Sequence, residues 1–217
     1  ECEAPRLPRT LVLGGEAAPR ALVERIARLA PQCAIYNHYG PTETTVGVMV
    51  HAMPAGGQLP AQLPLTQVLA NNRVHVLDAS LRLVPAGGMG ELYVGGAQLC
   101  RGYLNRELGE AFVADPFNPG ERLYRTGDLA RVLPEGGIRL AGRADHQVKI
   151  QGFRVEPAEV EAVLLAQPGV RQAVVLAVQD AAGATTLSAF FVADDTALDG
   201  RALREQLAAL LPAHMVP

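Results

Sequence analysis

The alternation of apolar and polar residues near the start of the chain predicts a strand, a helix and a second strand. Thr10 to Leu13 is an apolar run of the length of a short buried strand. Pro19 is acceptable in a first helical turn, and apolar residues then recur at the spacing of one helical face. These residues are Leu22, Ile26 and Leu29. The next apolar run, Cys33 to Tyr36, predicts a strand that enters a turn, so the segment as a whole predicts a βα unit and a following strand.

After this unit the chain carries short apolar runs separated by glycine and proline clusters, without a comparable helical pattern. Four runs predict strands: Val46 to Val50, Arg73 to Leu77, Glu91 to Val94 and Leu129 to Leu133. The stretch from Pro54 to Pro64 is rich in Gly, Pro, Ala and Gln and predicts a loop. We therefore expect a β-rich, barrel-like part here.

The predicted secondary structure changes at about Asp145, where strands and helices begin to alternate. Strands are predicted at Gln147 to Gln151, Ala173 to Val178 and Leu187 to Val192, and helices at Pro157 to Ala166 and Arg201 to Leu211. In the first of these helices Val160, Val163 and Leu164 are expected to point inward. The predicted fold class is α/β. Residues 1–144 form part of a large subdomain, with the βα unit and the β-rich part, and residues 145–217 form a small α+β subdomain.

Composition and charge exclude several classes of function. A chain of 217 residues with 49% hydrophobic residues can bury a sizeable core. Its formal net charge of −3 provides no basic stripe for a polynucleotide, so no nucleic-acid partner is expected. No apolar run approaches the length of a membrane span, and Glu1 to Arg6 lack the order of a signal peptide, which predicts a soluble, cytoplasmic protein with no membrane partner. Three widely spaced cysteines predict neither a disulfide framework nor a zinc site.

The segment from Asn37 to Glu43 carries the clearest candidate chemistry. Gly40 permits backbone conformations denied to other residues and Pro41 fixes the next φ, so the following Thr42 and Glu43 are expected on a stiff loop. A threonine hydroxyl suits a phosphate oxygen, and a carboxylate suits Mg²⁺. Tyr39 adds an aromatic face on which a purine can stack. The alternative for this segment alone is an ordinary turn before the next strand.

Further segments accompany this loop in a fixed order along the chain. They are Leu13–Glu16, Gly90–Gly96, Arg101–Leu104, Tyr124–Leu129, Gly142–Ile150 and Leu211–Pro217. Together with the Asn37–Glu43 loop, their order and spacing resemble the adenylation domains of nonribosomal peptide synthetases. The superfamily to which these adenylation domains belong also contains acyl-CoA synthetases and luciferases. The resemblance extends nearly from end to end of the chain.

The resemblance implies an enzyme, an adenylate-forming ligase that uses ATP and Mg²⁺. The implied ATP and AMP contacts are Gly15, Glu16, Asn37, Tyr39, Gly40, Thr42, Asp128 and Arg143. Thr42, Glu43 and Arg143 are the implied catalytic residues, and Glu43 is the implied metal ligand. Asp128, in a predicted Thr-Gly-Asp turn, would accept hydrogen bonds from both ribose hydroxyls, because a carboxylate offers two oxygens. Taken alone, an Asp in a turn with glycine is equally well explained by turn chemistry.

The resemblance also implies an amino-acid pocket. Its residues in this chain are Val12, Gly14, His38, Val46 and Gly47. The set resembles half of the pocket of aspartate-activating domains. The glycines leave room, the valines supply apolar walls, and His38 can donate a charge-assisted hydrogen bond to a side-chain carboxylate. The alternative is that His38 only packs in the loop.

The resemblance implies that Asp145 is the hinge about which the small subdomain rotates between two half-reactions. The first forms an aminoacyl adenylate, and the second transfers the acyl group to the phosphopantetheine thiol of a peptidyl carrier domain. Lys149 could lie near phosphate or the pantetheine channel, although a lysine beside a strand is more often solvated. The resemblance implies neighbouring synthetase domains such as condensation domains. It also implies that the small subdomain is cut before its catalytic lysine, so that these 217 residues alone are expected to be inactive.

Other segments favour structural functions over catalytic ones. Gly90–Leu92 and Arg101–Leu104 are expected to form strand-end turns, with the aromatic and leucine side chains packed beneath. No Ser-His or Cys-His constellation is evident, which agrees with a reaction that needs no side-chain nucleophile.

Two alternatives to the amino-acid-activating domain stay open. One is a fatty or aryl acid:CoA ligase on the same scaffold, which the Tyr124–Leu129 and Gly142–Ile150 segments disfavour. The other is a degenerate, non-catalytic interaction module. The chain retains the candidate ligands Thr42, Glu43, Asp128 and Arg143. Their retention disfavours this alternative, because decay would spare glycines and lose charged groups.

Overall fold

A computed structural model describes residues 8–16, 18–53, 63–105, 109–179, 185–194 and 198–217. Most of the loop predicted from Pro54 to Pro64 lies outside the described residues. The chain divides into two compact units, Glu1–Ala144 and Asp145–Pro217. None of the helices in these described ranges is long and apolar enough to cross a membrane.

The first unit opens with the predicted βα unit. Strand β1 (Thr10–Gly14), helix α1 (Arg20–Leu29) and strand β2 (Ala34–Tyr39) follow one another, and β1 pairs with β2 in parallel. Strands β3 (Met49–Ala52) and β4 (Gln67–Val68) extend the sheet with antiparallel pairing in the order β1-β2-β3-β4. A parallel pair needs a crossover such as α1, whereas the antiparallel strands need none.

Helix α1 buries a face that overlaps the predicted one only at Ile26, so the prediction is confirmed for Ile26 and wrong for Leu22 and Leu29. Leu22 and Leu29 are 44% and 56% exposed, whereas Val23 and Ile26 are buried together with Ala30, just after the helix. The buried positions are spaced by three and four residues, which is also a helical face, but rotated from the predicted stripe. Apolar residues occur on both faces here, so periodicity alone did not identify the one that meets the sheet.

A second sheet forms the β-rich part of this unit. It contains β5 (Asn72–Leu77), β6 (Met89–Gly96), β7 (Phe112–Ala114), β8 (Arg122–Val132) and β9 (Ile138–Arg143). All pairs are antiparallel, in the order β5-β6-β8-β7, and β9 also pairs with β8. Residues of both sheets share one hydrophobic cluster, which includes Met49 of β3, Leu92 of β6 and Ala130 of β8.

The predicted strand from Val46 to Val50 begins later than expected. Val46 has a φ of 69°, outside the β region, and strand β3 starts at Met49. The N–H of Val46 donates to the carbonyl oxygen of Pro41 at 3.2 Å, so this residue belongs to the preceding turn. The turn hydrogen bond therefore determines the conformation of Val46, although valine has a high β-propensity.

The second unit combines two hairpins with two helices. They are β10 (Val148–Ile150), β11 (Phe153–Val155), α2 (Pro157–Leu165), β12 (Val170–Gln179), β13 (Thr185–Ala193) and α3 (Gly200–Leu210). Val160 and Leu164 of α2 are buried in a cluster with Leu203 and Leu207 of α3, which confirms the inward face predicted for Val160 and Leu164. The mixed α/β class is confirmed for the chain.

Candidate active site

Strand β2 presents neighbouring residues to its two faces. Leu13 of β1 and Ile35 of β2 pack with the cluster beneath α1. Because side chains alternate along a strand, Tyr39 lies on the same face as Ile35, and His38 lies on the other. In the parallel register Gly14 is opposite His38. The adjacent residues His38 and Tyr39 therefore belong to two different groups of candidate site residues.

The first group is a hydrogen-bonded network of Tyr39, Asp128 and Arg143. The hydroxyl of Tyr39 donates to Oδ2 of Asp128, and Nη1 of Arg143 donates to Oδ1 of the same carboxylate at 2.8 Å. Nη2 of Arg143 also donates to the carbonyl oxygen of Thr126 at 3.0 Å. The side chains of Asp128 and Arg143 are only 18% and 19% exposed. The network thus joins three of the segments recognised in the sequence.

Burial raises the pKa of the Tyr39 phenol well above its usual range, and the Asp128 carboxylate raises this pKa further. The phenol is therefore protonated at neutral pH and acts as the donor. Asp128 is thereby held by a neutral donor and by the Arg143 guanidinium, which also pairs with it electrostatically.

Asp128 lies inside strand β8, so the predicted Thr-Gly-Asp turn is wrong. Gly127 has a φ of 76°, and the pairing of β8 with β6 shifts between Glu91 and Tyr93. Pairing with β9 is irregular between Leu129 and Ala130. These shifts are those of a β-bulge, which turns side chains out of the regular alternation. A glycine between two strand-forming residues is compatible with a turn or a bulge, and only the pairing distinguishes them.

Thr126 lies in the recognised Tyr124–Leu129 segment, but the sequence did not indicate its supporting role. It is buried, and its hydroxyl donates to the carbonyl oxygen of Leu92 at 2.8 Å. The same hydroxyl oxygen accepts the N–H of Asp128 at 3.0 Å. The bulge is therefore held on the neighbouring strand β6.

The predicted loop from Asn37 to Glu43 is shorter than expected, because β2 continues through Tyr39. Gly40 and Pro41 then lead into a 3₁₀ turn, Thr42–Thr44. A Cβ on Gly40 would lie 1.3 Å from the carbonyl oxygen of Val46, so only glycine fits where the chain folds back. Thr42 is exposed at the start of the turn. Asn37 is held through its side-chain amide, which donates to the Pro64 carbonyl oxygen at 3.3 Å.

Glu43 is buried, at 6% exposure, and is held by the Arg101–Leu104 segment and its neighbour Cys100. The hydroxyl of Tyr103 donates to Oε1 of Glu43 at 2.7 Å. The N–H of Cys100 donates to the Glu43 carbonyl oxygen at 2.8 Å. The expectation that Tyr103 and Leu104 pack beneath the segment is wrong, because Tyr103 reaches the site and Leu104 is 89% exposed. Burial and the bond to Glu43 raise the pKa of Tyr103, so its hydroxyl is a donor at neutral pH.

The donor set at Glu43 suits magnesium that arrives with a nucleotide. Within the described ranges, no group of three or more His, Cys, Asp or Glu side chains is placed to hold a metal ion. Mg²⁺ that accompanies a nucleotide takes one or two protein carboxylates and completes its shell with phosphate oxygens and water. The single carboxylate of Glu43 therefore fits such an ion.

The second group is Gly14, His38 and Gly47. A Cβ on Gly47 would lie 1.8 Å from Nε2 of His38, and a Cβ on Gly14 would lie 2.9 Å from the His38 carbonyl oxygen. The space that Gly47 leaves is thus occupied by the His38 imidazole. Gln98, which the sequence did not indicate, holds this turn by donating from Nε2 to the Gly47 carbonyl oxygen at 3.0 Å. Nothing in its spacing distinguishes Gln98 from an ordinary surface residue.

The two valines predicted for the pocket are exposed. Val12 is on strand β1, two residues before Gly14 and so on the same face. Val46 has the positive φ described above, which is unusual for a β-branched residue and stores backbone strain in this turn.

The remaining candidates lie at the ends of elements. Gly15, with a φ of 92°, and Glu16 follow the end of β1. Asp145 is the first residue of the second unit, and its Oδ1 accepts the N–H of Gln147 at 3.1 Å. Lys149 is exposed on β10.

Comparison with known proteins gives matches to most of the chain. Residues 3–104 match the AMP-binding enzyme family, and residues 159–217 match the C-terminal domain of AMP-binding enzymes. Tyrocidine synthase 3 of Brevibacillus parabrevis is 46% identical over 212 residues, which are 96% of this chain and 3% of that protein.

Solved structures match over nearly the same length. The Vibrio cholerae adenylation domain AlmE, in complex with glycyl-adenosine-5′-phosphate, has a TM-score of 0.84 at 28% identity, with 96% of this chain and 40% of that chain covered. NpsA-ThdA, an artificially fused adenylation-PCP di-domain from Klebsiella oxytoca, has a TM-score of 0.81 at 28% identity, with 97% and 39% covered. The chain therefore spans about two fifths of these structures and a few per cent of the synthase.

Proposed function

Because this chain belongs to the AMP-binding enzyme family and corresponds to the C-terminal part of its adenylation domains, we propose that the protein containing it activates an amino acid. It would form an aminoacyl adenylate from ATP and the amino acid, and then pass the acyl group to a carrier-domain thiol. The Vibrio cholerae adenylation domain is in complex with glycyl-adenosine-5′-phosphate, which favours an amino acid over a fatty or aryl acid.

The Tyr39–Asp128–Arg143 network is the observation that carries this proposal. A partly buried carboxylate held by two donors is suited to accept the two hydroxyls of a ribose, because both partners fix its orientation. The Tyr39 ring is partly buried against the hydrophobic cluster that both sheets share, and its other face would stack on the purine. In a degenerate interaction module, we would expect charged groups such as these to be lost, and the network with them.

In the first half-reaction, a carboxylate oxygen of the amino acid would attack the α-phosphorus of ATP. The bond from the α-phosphorus to the bridging oxygen of the β-phosphate would break, and pyrophosphate would leave with the electron pair. Thr42, Gly40 and Arg143 would hold phosphate oxygens, while Gly15, Glu16 and Asn37 would border the nucleotide. Magnesium bound through Glu43 would offset negative charge on the phosphates. The protein's part is position and electrostatics.

In the second half-reaction, the thiol of phosphopantetheine on a peptidyl carrier domain would attack the acyl carbonyl carbon, lose its proton, and displace AMP. We propose that residues 145–217 form the mobile small subdomain for this step and that Asp145 is its hinge. The boundary between the two compact units falls immediately before Asp145, and the NpsA-ThdA structure pairs an adenylation domain with a PCP. A hinge needs a residue at an element end that can absorb a backbone change.

We further propose that the amino acid is aspartate or a close acidic relative. Gly14, His38 and Gly47 lie together. The other two pocket candidates are close to them in the sequence, because Val12 is two residues before Gly14 and Val46 immediately precedes Gly47. The His38 imidazole can donate to a carboxylate, a bond that is stronger than a neutral one. Its packing against Gly47 fixes the ring in one place.

The test is amino-acid-dependent ATP–pyrophosphate exchange by the full-length protein. A panel of acidic, basic, apolar and aromatic amino acids is compared with fatty and aryl acids, for the wild type and for His38→Ala. We expect aspartate to be preferred and to lose about tenfold or more in His38→Ala, the cost of a hydrogen bond to a charged group. His51→Ala is the matched control, since His51 lies on β3 of the same sheet and bonds to Thr66, and it should leave exchange unchanged.

The outcomes separate the parts of the proposal. Preference for a bulky apolar or basic amino acid refutes the aspartate assignment and leaves amino-acid activation intact. Exchange that depends on a fatty or aryl acid instead of any amino acid refutes amino-acid activation itself.

A further inference from the structure

Glu43 is held at two points, its main-chain carbonyl group and its carboxylate, by one short segment, Cys100–Tyr103. The main chain of Cys100 donates to the Glu43 carbonyl oxygen, and the Tyr103 hydroxyl donates to Oε1 of its carboxylate. Tyr103 follows Glu43 by 60 residues, so its bond connects distant parts of the sequence. The segment and the metal-ligand candidate are therefore one structural group.

Gly102 lies between the two contacting residues. Its φ of 142° is in the region that favours glycine, so a side chain at this position would strain the segment that carries Cys100 and Tyr103. The Tyr103 ring then meets the edge of the Phe112 ring, with centroids 5.9 Å apart, and Phe112 in turn packs on Tyr124. The position of the hydroxyl is thus set by an aromatic cluster on strands β7 and β8.

We propose that Tyr103 is a positioning residue that fixes the Glu43 carboxylate for the magnesium ion of the nucleotide. The inference rests on the proposed function. A glutamate side chain has several rotatable bonds, and a carboxylate that must meet a metal loses binding free energy if it has to be ordered at that moment. The Tyr103 hydroxyl takes one of about four acceptor positions of the carboxylate and orients the rest.

The competing explanation is that Tyr103 only satisfies a buried carboxylate and so contributes to stability. The two explanations differ in what changes when the hydroxyl is removed. A purely stabilising bond lowers the melting temperature and leaves metal binding by the folded protein unaltered. A positioning bond weakens metal binding even in fully folded protein.

Tyr103→Phe in the full-length protein separates them, because it removes one oxygen and keeps the ring on Phe112. Binding of Mn²⁺ in the presence of ATP and without amino acid is measured by electron paramagnetic resonance, together with the melting temperature. The magnesium dependence of pyrophosphate exchange is measured in parallel. Glu43→Gln serves as the reference for loss of the ligand. Tyr93→Phe is the matched control, since the Tyr93 hydroxyl bonds to Glu91 at 3.5 Å on β6 instead.

We expect Tyr103→Phe to weaken Mn²⁺ binding about tenfold, the cost of a hydrogen bond to a charged acceptor. The magnesium concentration for half-maximal exchange should rise by a similar factor, and kcat should recover at saturating magnesium. Tyr93→Phe should change neither.

Two results would overturn the inference. If Glu43→Gln weakens Mn²⁺ binding and Tyr103→Phe does not, Tyr103 has no positioning function, although Glu43 remains a metal ligand. If Glu43→Gln itself leaves Mn²⁺ binding unchanged, the metal function of Glu43 is wrong, and the positioning function of Tyr103 is wrong with it.

Discussion

Asp128 provides the sharpest test of the proposed nucleotide site, because its carboxylate is expected to distinguish ATP from 2′-deoxy-ATP. Tyr39 and Arg143 take two of about four acceptor positions of this carboxylate. The two others suit the two ribose hydroxyls. A hydrogen bond to a charged acceptor is worth about 1.5–3 kcal/mol, which is about 10-fold to 150-fold in an equilibrium constant. Since Arg143 already neutralises part of the charge, we expect the lower end, about tenfold for each hydroxyl.

The assay is pyrophosphate exchange by the full-length protein with each nucleotide. Wild type should use 2′-deoxy-ATP about tenfold less well than ATP, measured as kcat/KM. In Asp128→Ala the kcat/KM for ATP should fall about 100-fold, and the preference for ATP over 2′-deoxy-ATP should disappear. The ratio of the two nucleotides is measured on one protein sample, so a lower folded fraction in the variant cancels.

Tyr39→Phe is the matched control for Asp128→Ala. It removes one donor to the carboxylate and keeps both the carboxylate and the aromatic ring, so the preference for ATP should persist. Asp128→Ala protein that still prefers ATP about tenfold would show that the ribose is recognised elsewhere and would refute the assignment.

Three further predictions concern the turns and the boundary between units. Gly47→Ala should destabilise the protein by about 1–3 kcal/mol in urea unfolding, and His38→Ala should abolish most of that cost; an undiminished cost in the double variant would show that the imidazole is not the obstacle. Gly40→Ala places a methyl group on a main-chain carbonyl and should cost more, about 3 kcal/mol or above, whereas Gly200→Ala at the start of α3 should change stability by about 1 kcal/mol or less. If both variants behave alike, the close approach at Gly40 does not limit stability. Asp145→Pro should spare adenylate formation and impair transfer to the carrier thiol, and equal loss of both half-reactions would refute a hinge.

The sequence predicted those elements whose signal lies within one segment. The βα unit and the helices of the second unit follow from periodicity over about ten residues, because burial of one face repeats at the helical spacing. The face of α1 could not be chosen in the same way. Leu22 and Val23 are both apolar, and only the partner sheet determines which of them is buried.

Elements that depend on a partner strand were missed or misplaced. Strands β7 and β9 are short or contain glycine, and they exist through pairing with β8. Val46 has high β-propensity but is held in a turn by Pro41. Asp128 was assigned to a turn because Gly127 permits both a turn and a bulge.

For the candidate site, the sequence predicted which residues belong to it but not how they are arranged. Tyr39, Glu43, Asp128 and Arg143 could each be named from sequence. The contacts that these residues make could not be predicted. The bond from Tyr103 to Glu43, for example, joins residues 60 positions apart, and no local pattern connects them. Sequence patterns identify the type of side chain, whereas the chain's pairing decides what it touches.

The bond between Tyr39 and Asp128 has a consequence for how this protein folds. It joins residues 89 positions apart, one on the sheet that begins with β1 and one on the sheet that contains β8. Contacts of such long sequence separation form slowly, because the loop between them must close first. We therefore expect the proposed nucleotide site to be completed only after both sheets have formed and docked. A nucleotide that binds only this docked state would act as a late stabiliser, adding about 2.7 kcal/mol at a concentration 100 times its Kd.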